Sequence, residues 1–122
     1  MTQKAKILYI DDEQVNLLLF QINFSEYYEV LTGSDGKTGL EILEKNPDIR
    51  VVISDMKMPG MNGIEFIRSA AQRFQGIVFY ILTGYDINEE ISSALSSGLI
   101  SGYFMKPFNL MEIRNGIDTV VG

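Results

Sequence analysis

Cysteine and histidine are both absent from the 122 residues of this chain. Without cysteine there is no disulfide framework and no thiolate nucleophile. Without histidine the commonest general base and metal ligand is missing, so any chemistry must rest on carboxylates, hydroxyls and lysine. Basic residues are also scarce. Ten Lys and Arg face sixteen Asp and Glu, a net charge of −6, and the sequence pI is about 4.5. With no Lys/Arg run, this balance argues against binding nucleic acid or an anionic membrane. Long hydrophobic runs are lacking too: the longest holds six residues, 77–82, far short of a bilayer span. The N-terminus leads straight into a strand-like run without a signal-peptide profile, so a cytoplasmic location is expected.

What is present is an ordinary globular composition, 46% hydrophobic and 21% charged, long enough to bury one real core. One domain over residues 1–122 is expected, since no linker, repeat or low-complexity tract interrupts it. Short apolar runs alternate with helical patterns five times, which predicts β/α units joined by right-handed crossovers. The strands are predicted at residues 5–10, 28–31, 51–54, 77–82 and 101–104. The first helix carries Val15, Leu18, Leu19 and Ile22 at i, i+3, i+4, i+7 spacing, the pattern of a buried stripe. The second, about 35–45, contains Gly39, which costs roughly 1 kcal/mol against alanine, and stops before Pro47. Asn62-x-x-Glu65, Asp86-x-x-Glu89 and Asn109-x-x-Glu112 read as capping boxes for the last three helices. Gly98 is placed to close the fourth in a left-handed conformation. That helix holds Ser92, Ser93, Ser96 and Ser97, mediocre helix formers that suit a movable or solvated surface.

Polar residues sit where the apolar runs stop. Asp11-Asp12 follow the first strand, Asp55 the third, Thr83 the fourth and Lys106 the fifth. Ligands bind outside the carboxyl ends of open parallel sheets, so three carboxylates, one hydroxyl and one ammonium converge on one edge. Each alone has a plain structural explanation as a turn or cap residue; the conjunction at successive strand tips does not. Two adjacent carboxylates repel unless a cation sits between them, and magnesium, a hard ion that favours carboxylate and phosphate oxygens, is the natural choice. Asp55 then becomes a nucleophile toward phosphorus. Thr83 can donate to a phosphoryl oxygen, and Lys106 supplies a compact positive charge. Lys106-Pro107 is a place for a cis bond. Lys57 and Tyr85, each two residues beyond a site residue, are expected to overhang the pocket and shield a phosphoryl group from water, lengthening its lifetime.

Ile7-Leu8-Tyr9-Ile10-Asp11-Asp12-Glu13, Asp55 through Gly63, Thr83-Gly84 and Tyr103-Phe104-Met105-Lys106-Pro107 together resemble the receiver domain of two-component response regulators, over essentially the whole chain. The resemblance implies a flavodoxin-like (βα)5 sandwich with strand order 2-1-3-4-5. It implies Asp55 as phosphoacceptor from a sensor histidine kinase or histidine phosphotransfer protein. It also implies a magnesium site of Asp11, Asp12, Asp55 and the Lys57 carbonyl, with Thr83 and Lys106 on the phosphoryl oxygens. Tyr103 matches the family's switch aromatic, and helix 4, strand 5 and helix 5 match its output face. That face would meet an output domain or partner protein, and the reading allows a phosphorylation-dependent homodimer. Lack of histidine fits a chain that receives phosphate and carries no phosphohistidine. A haloacid-dehalogenase-type phosphatase is the alternative from another class, but Lys57 stands where that family places its second acid. A flavodoxin-type carrier would need a phosphate loop where Asp11-Asp12-Glu13 would repel the ligand.

Overall fold

The computed structural model describes residues 3–84 and 87–122. Its elements alternate without exception: β1 Lys6–Ile10, α1 Gln14–Phe24, β2 Glu29–Gly33, α2 Gly36–Lys45, β3 Ile49–Asp55, α3 Gly63–Arg73, β4 Val78–Thr83, α4 Glu89–Ser96, β5 Gly102–Met105 and α5 Leu110–Val121. The strands form one parallel sheet of order β2-β1-β3-β4-β5, the expected order. The inner strands β1, β3 and β4 are buried almost throughout, while the edge strands β2 and β5 are partly open. Inner strands covered on both faces read as unbroken apolar runs. Strand residues alternate between faces, so each face has its own core. Leu8, Ile10, Val52 and Ile81 pack with Phe66 and Ile67 of α3 and Ile91 of α4. Ile7, Tyr9, Val51, Ile53 and Leu82 pack with Leu17, Phe20 and Phe24 of α1 and Ile113 and Ile117 of α5.

Helix α1 corrects the sequence reading. Val15, Leu18, Leu19 and Ile22 are 66%, 60%, 46% and 67% exposed, and the buried residues are Leu17, Phe20 and Phe24. The helix is apolar on two faces, and the face that turns inward is the one with the aromatic rings. Those rings fill the space over β1 in a column: Tyr9 stacks on Phe20 with centroids 4.1 Å apart, and Phe20 lies 4.4 Å from Phe24.

The helix ends are tied by side chains. Asn62 and Glu65 form a complete capping box at α3, and Asn109 accepts from the Glu112 amide at α5. Helix α4 starts later than expected, with Asn88 as its cap accepting from the Ile91 amide at 2.8 Å. Glu89 therefore opens the helix rather than closing a capping box, and Asp86 lies outside the described residues. An asparagine caps as well as an aspartate, so the nearer polar residue serves. Gly98, at φ +78°, adopts the left-handed conformation just beyond α4.

Gly39 is explained by packing rather than propensity. A Cβ there would lie 2.7 Å from the ring of Phe66 and 3.0 Å from Ile10 Cδ1, and both neighbours are fully buried. The missing side chain is what lets α2 lie against α3 and β1. Gly39→Ala gains about 1 kcal/mol of helix propensity, but overpacking a fixed core costs about 1–3 kcal/mol. A net loss of about 1 kcal/mol in urea unfolding is therefore expected; a stabilised variant would show that the Phe66 ring moves aside freely.

Candidate functional site

Strand register builds the site. Tyr9 pairs with Ile53 and Ile10 with Ser54, so Asp11 and Asp55 emerge side by side one residue further on. Asp55 is level with Leu82 on β4, and Thr83 with Met105 on β5, which brings Thr83 and Lys106 to the same edge. The Lys106 amide donates to the Thr83 carbonyl at 2.8 Å. Asp12, Glu13, Asp55, Lys57, Thr83, Gly84 and Lys106 line one open cavity of about 450 Å³. Asp11 lies beneath this cavity, completely buried.

Two features hold Asp55 at the end of β3. Gly63 opens α3 so close to it that a Cβ at this position would stand 2.3 Å from the Asp55 carbonyl oxygen. The Gly63 amide also donates to the Met56 carbonyl at 2.9 Å. The loop between, Met56 to Asn62, is thereby closed back onto the strand tip. The Lys106-Pro107 bond is cis, as the sequence suggested.

Charge is concentrated and only partly balanced. Asp11, Asp12 and Asp55 each bring one carboxylate oxygen within 4.8 Å of the others. Lys106 Nζ lies 3.1 Å from Asp55 Oδ1 and 3.4 Å from Asp11 Oδ2, bridging the two buried acids. Burial, and then the negative charge of Asp11, push the Asp55 carboxyl above its ordinary value; the Lys106 hydrogen bond and charge pull the other way without prevailing. Burial works against the Lys106 ammonium, but its hydrogen bond to Asp55 and the charges of Asp55 and Asp11 outweigh that and hold its pKa above the usual lysine value. Hard oxygen donors, a surplus of negative charge and one exposed carboxylate at Asp12 suit a small divalent cation.

One participant was hidden in the sequence. Tyr9 reads as part of an apolar run, yet its hydroxyl donates to Asp11 Oδ2 at 2.5 Å. Burial first, and this hydrogen bond second, push the phenol far above its ordinary range. The available signal was strand periodicity, which puts residue 9 on the face of residue 11. The sequence-predicted residues Asp11, Asp12, Asp55, Thr83, Lys57 and Lys106 are brought together. Tyr103 is half-buried on β5, level with Ile81 and packed on the α3–α4 side; Thr83, two residues beyond Ile81, shares that face. Tyr85 lies outside the described residues.

A doubly wound parallel sheet with an acidic triad and a lysine at its carboxyl edge defines a phosphoryl-accepting α/β module. The chain belongs to the response regulator receiver domain family, whose model matches residues 7–118, and it is a phosphoacceptor of two-component signalling rather than a catalytic enzyme. It is 33% identical over 114 residues to sporulation initiation phosphotransferase F of Bacillus subtilis, covering 92% of this chain and 90% of that protein. Chemotaxis protein CheY1 of Helicobacter pylori strain J99 is 30% identical over 121 residues, covering 96% of this chain and 97% of that protein. The chain spans only 22% of the hydrogenase transcriptional regulatory protein HoxA of Cupriavidus necator, at 29% identity. A solved response regulator receiver domain protein from Clostridium thermocellum superimposes with a TM-score of 0.89 at 33% identity, over 96% of this chain and 94% of that one.

The raised Asp55 pKa has a consequence for stability in the absence of metal. The fold binds this proton more tightly than the unfolded chain, so ionised Asp55 costs stability above its raised pKa. That cost fades as pH falls toward the ordinary value of 3.8. In chelator, Asp55→Asn is expected to melt a few degrees higher at pH 7, at about 4 °C per kcal/mol for a chain of this size. The gain should shrink on acidification to pH 4. An equal or lower melting temperature at pH 7 would mean that Lys106 fully compensates the charge.

Proposed function

We propose that Asp55 is the phosphoacceptor and that the donor is a phosphohistidine on a sensor kinase or histidine phosphotransfer protein. The observation that carries this is Lys106 bridging Asp11 and Asp55 within the acidic triad. An Asp55 carboxylate oxygen attacks phosphorus; the phosphorus–nitrogen bond breaks and its electron pair returns to the donor imidazole, which is left neutral after proton exchange with water. Asp11, Asp12 and Asp55, with the Lys57 carbonyl, would hold magnesium, whose charge offsets the approach of two anions. Lys106 moves with the charge, from the carboxylates to a phosphoryl oxygen, and Thr83 donates its hydroxyl to another. Drawing Thr83 toward the phosphate opens space on its face of the sheet, into which Tyr103 turns, altering α4, β5 and α5 for an output domain, a partner protein or a second copy. Lys57, on the rim, screens the phosphoryl group from in-line water. Among the described residues no helix is long and apolar enough to cross a membrane, and a cytoplasmic site of action is in keeping with this role.

The test is intact mass after incubation with acetyl phosphate and magnesium. One added phosphoryl group is expected, and none on Asp55→Asn; undiminished labelling of that variant would sink the assignment.

The exposed face of α1 fits the protein donor. Val15, Leu18, Leu19 and Ile22 form an apolar stripe that begins just after the acidic pair. Leu19 continues it into a groove with Pro107 and Phe108, whose floor reaches Tyr9 and Lys106. A donor that presents its phosphohistidine to Asp55 must cover this rim, so its own apolar helix meets the stripe. Leu18→Asp with Ile22→Asp should slow transfer from a phosphorylated protein donor at least 10-fold, about 1.4 kcal/mol. Labelling by acetyl phosphate should stay at the wild-type rate. Equal slowing with both donors would place the effect in the site rather than in docking.

A further inference from the structure

We infer that the Tyr9 hydroxyl is a positioning group for the cation site, fixing the Asp11 carboxylate in the orientation that binds metal. The inference rests on the reading of Asp11, Asp12 and Asp55 as a magnesium site and adds a residue that this reading does not contain.

Asp11 has a full set of donors. Its Oδ1 accepts from the Glu13 amide at 3.0 Å. Its Oδ2 is approached by Tyr9 Oη at 2.5 Å, Asn16 Nδ2 at 3.2 Å and Lys106 Nζ at 3.4 Å. These partners differ in how firmly they are committed. Lys106 is shared with Asp55 at 3.1 Å, and in the proposed reaction it turns to the phosphoryl group. Asn16 sits on α1 at the margin of solvent, at a longer distance. Tyr9 alone reaches Asp11 from inside the core. It is 1% exposed, and its ring is held flat on Phe20, 4.1 Å between centroids with 11° between planes. Phe20 is itself braced by Phe24 at 4.4 Å and Phe108 at 6.0 Å.

A clamped ring with two side-chain torsions delivers its hydroxyl to one point. The carboxylate it holds cannot rotate, so the orientational entropy of that ligand is lost on folding rather than on metal binding. Groups that orient metal ligands in this way are worth 10–100-fold in affinity. With the Glu13 amide and Asn16 still in place, the lower end of that range applies to Tyr9.

The experiment is calorimetric titration of the full chain with magnesium chloride at neutral pH, on wild type, Tyr9→Phe and Leu43→Ala. Tyr9→Phe keeps the ring and its stack but removes one donor from a buried carboxylate, so its melting temperature in chelator should fall by no more than that of Leu43→Ala while its magnesium dissociation constant rises about 10-fold. Acetyl phosphate labelling should need about 10-fold more magnesium for half its maximal rate, with the rate at saturating magnesium unchanged. Leu43→Ala, in the core on the opposite face of the sheet from Tyr9, loosens the fold but leaves the hydroxyl and its stack; it should melt well below wild type and bind magnesium within about 3-fold of it. A Tyr9→Phe dissociation constant within twofold of wild type would overturn the inference. So would an equal loss of affinity in Leu43→Ala, since general loosening would then explain both. Wild type that binds no magnesium at millimolar concentration would overturn the underlying metal-site reading and this inference with it.

Discussion

The structure turns on one electrostatic arrangement: two buried carboxylates, Asp11 and Asp55, at adjacent strand tips and bridged by the Lys106 ammonium. Two unit charges 4 Å apart interact by about 4 kcal/mol at an effective dielectric of 20, a sizeable part of the 5–15 kcal/mol that usually keeps a domain folded. The chain tolerates this because parallel strands in register cannot avoid bringing their tips together, and because the sheet beneath is covered on both faces. Lys106 offsets part of the repulsion, the donors around Asp11 a further part. On the proposed reading, the charge that remains would favour taking up a cation and then a phosphoryl group. A site whose charges were fully balanced at rest would have little to gain from either.

Rigidity around that arrangement comes from positions with no chemistry of their own. Gly63 lets α3 begin against the Asp55 carbonyl, and Gly39 lets α2 close on Phe66 and Ile10. Both are places where a side chain would push elements apart by more than its own burial could return. Opposite, α4 is only eight residues long and carries three exposed serines, with a fourth, Ser97, as its C-cap. Its tie to the phosphoacceptor loop is the polar contact from Asn62 Nδ2 to Glu90 at 3.2 Å. The acidic edge thus has a fixed side, built on α1, β1 and α3, and a side held more lightly, on α4 and β5. On the proposed reading, an event at Asp55 would pass toward the lighter side, because the other is the more firmly packed.

Much of this was legible in the sequence, and the failures have physical causes. Buried parallel strands announce themselves as apolar runs, and their tips as the polar residues that end them; the site residues were found that way because strand topology leaves them no other meeting place. Helix α1 was misread because periodicity measures spacing and not volume. It has two apolar faces, and the face with Leu17, Phe20 and Phe24 wins the inward position because the two phenylalanine rings fill the gap over β1. The α4 cap was displaced because Asp86 and Asn88 both suit a helix start and local preference does not choose between them. Gly39 looked like a weakness because propensity takes no account of the neighbouring helix. Tyr9 was counted as core, which it is; its hydroxyl gains a role only once β1 is extended and Asp11 lies on the same face.

That last point joins the two faces of α1 to a single task. Its outward stripe is where, on the proposed reading, a donor helix would find apolar surface to cover, and its inward rings are what Tyr9 stacks on beside Asp11. A helix pressed from outside by a partner cannot shift toward the sheet, because Phe20 already lies flat on Tyr9 and is braced by Phe24 and Phe108. The load of docking is therefore borne by stacked rings rather than by the hydrogen bond to the carboxylate. This separates two demands that would otherwise conflict at the mouth of one pocket: adhesion to a protein partner and an unchanging geometry for the anion that receives the metal.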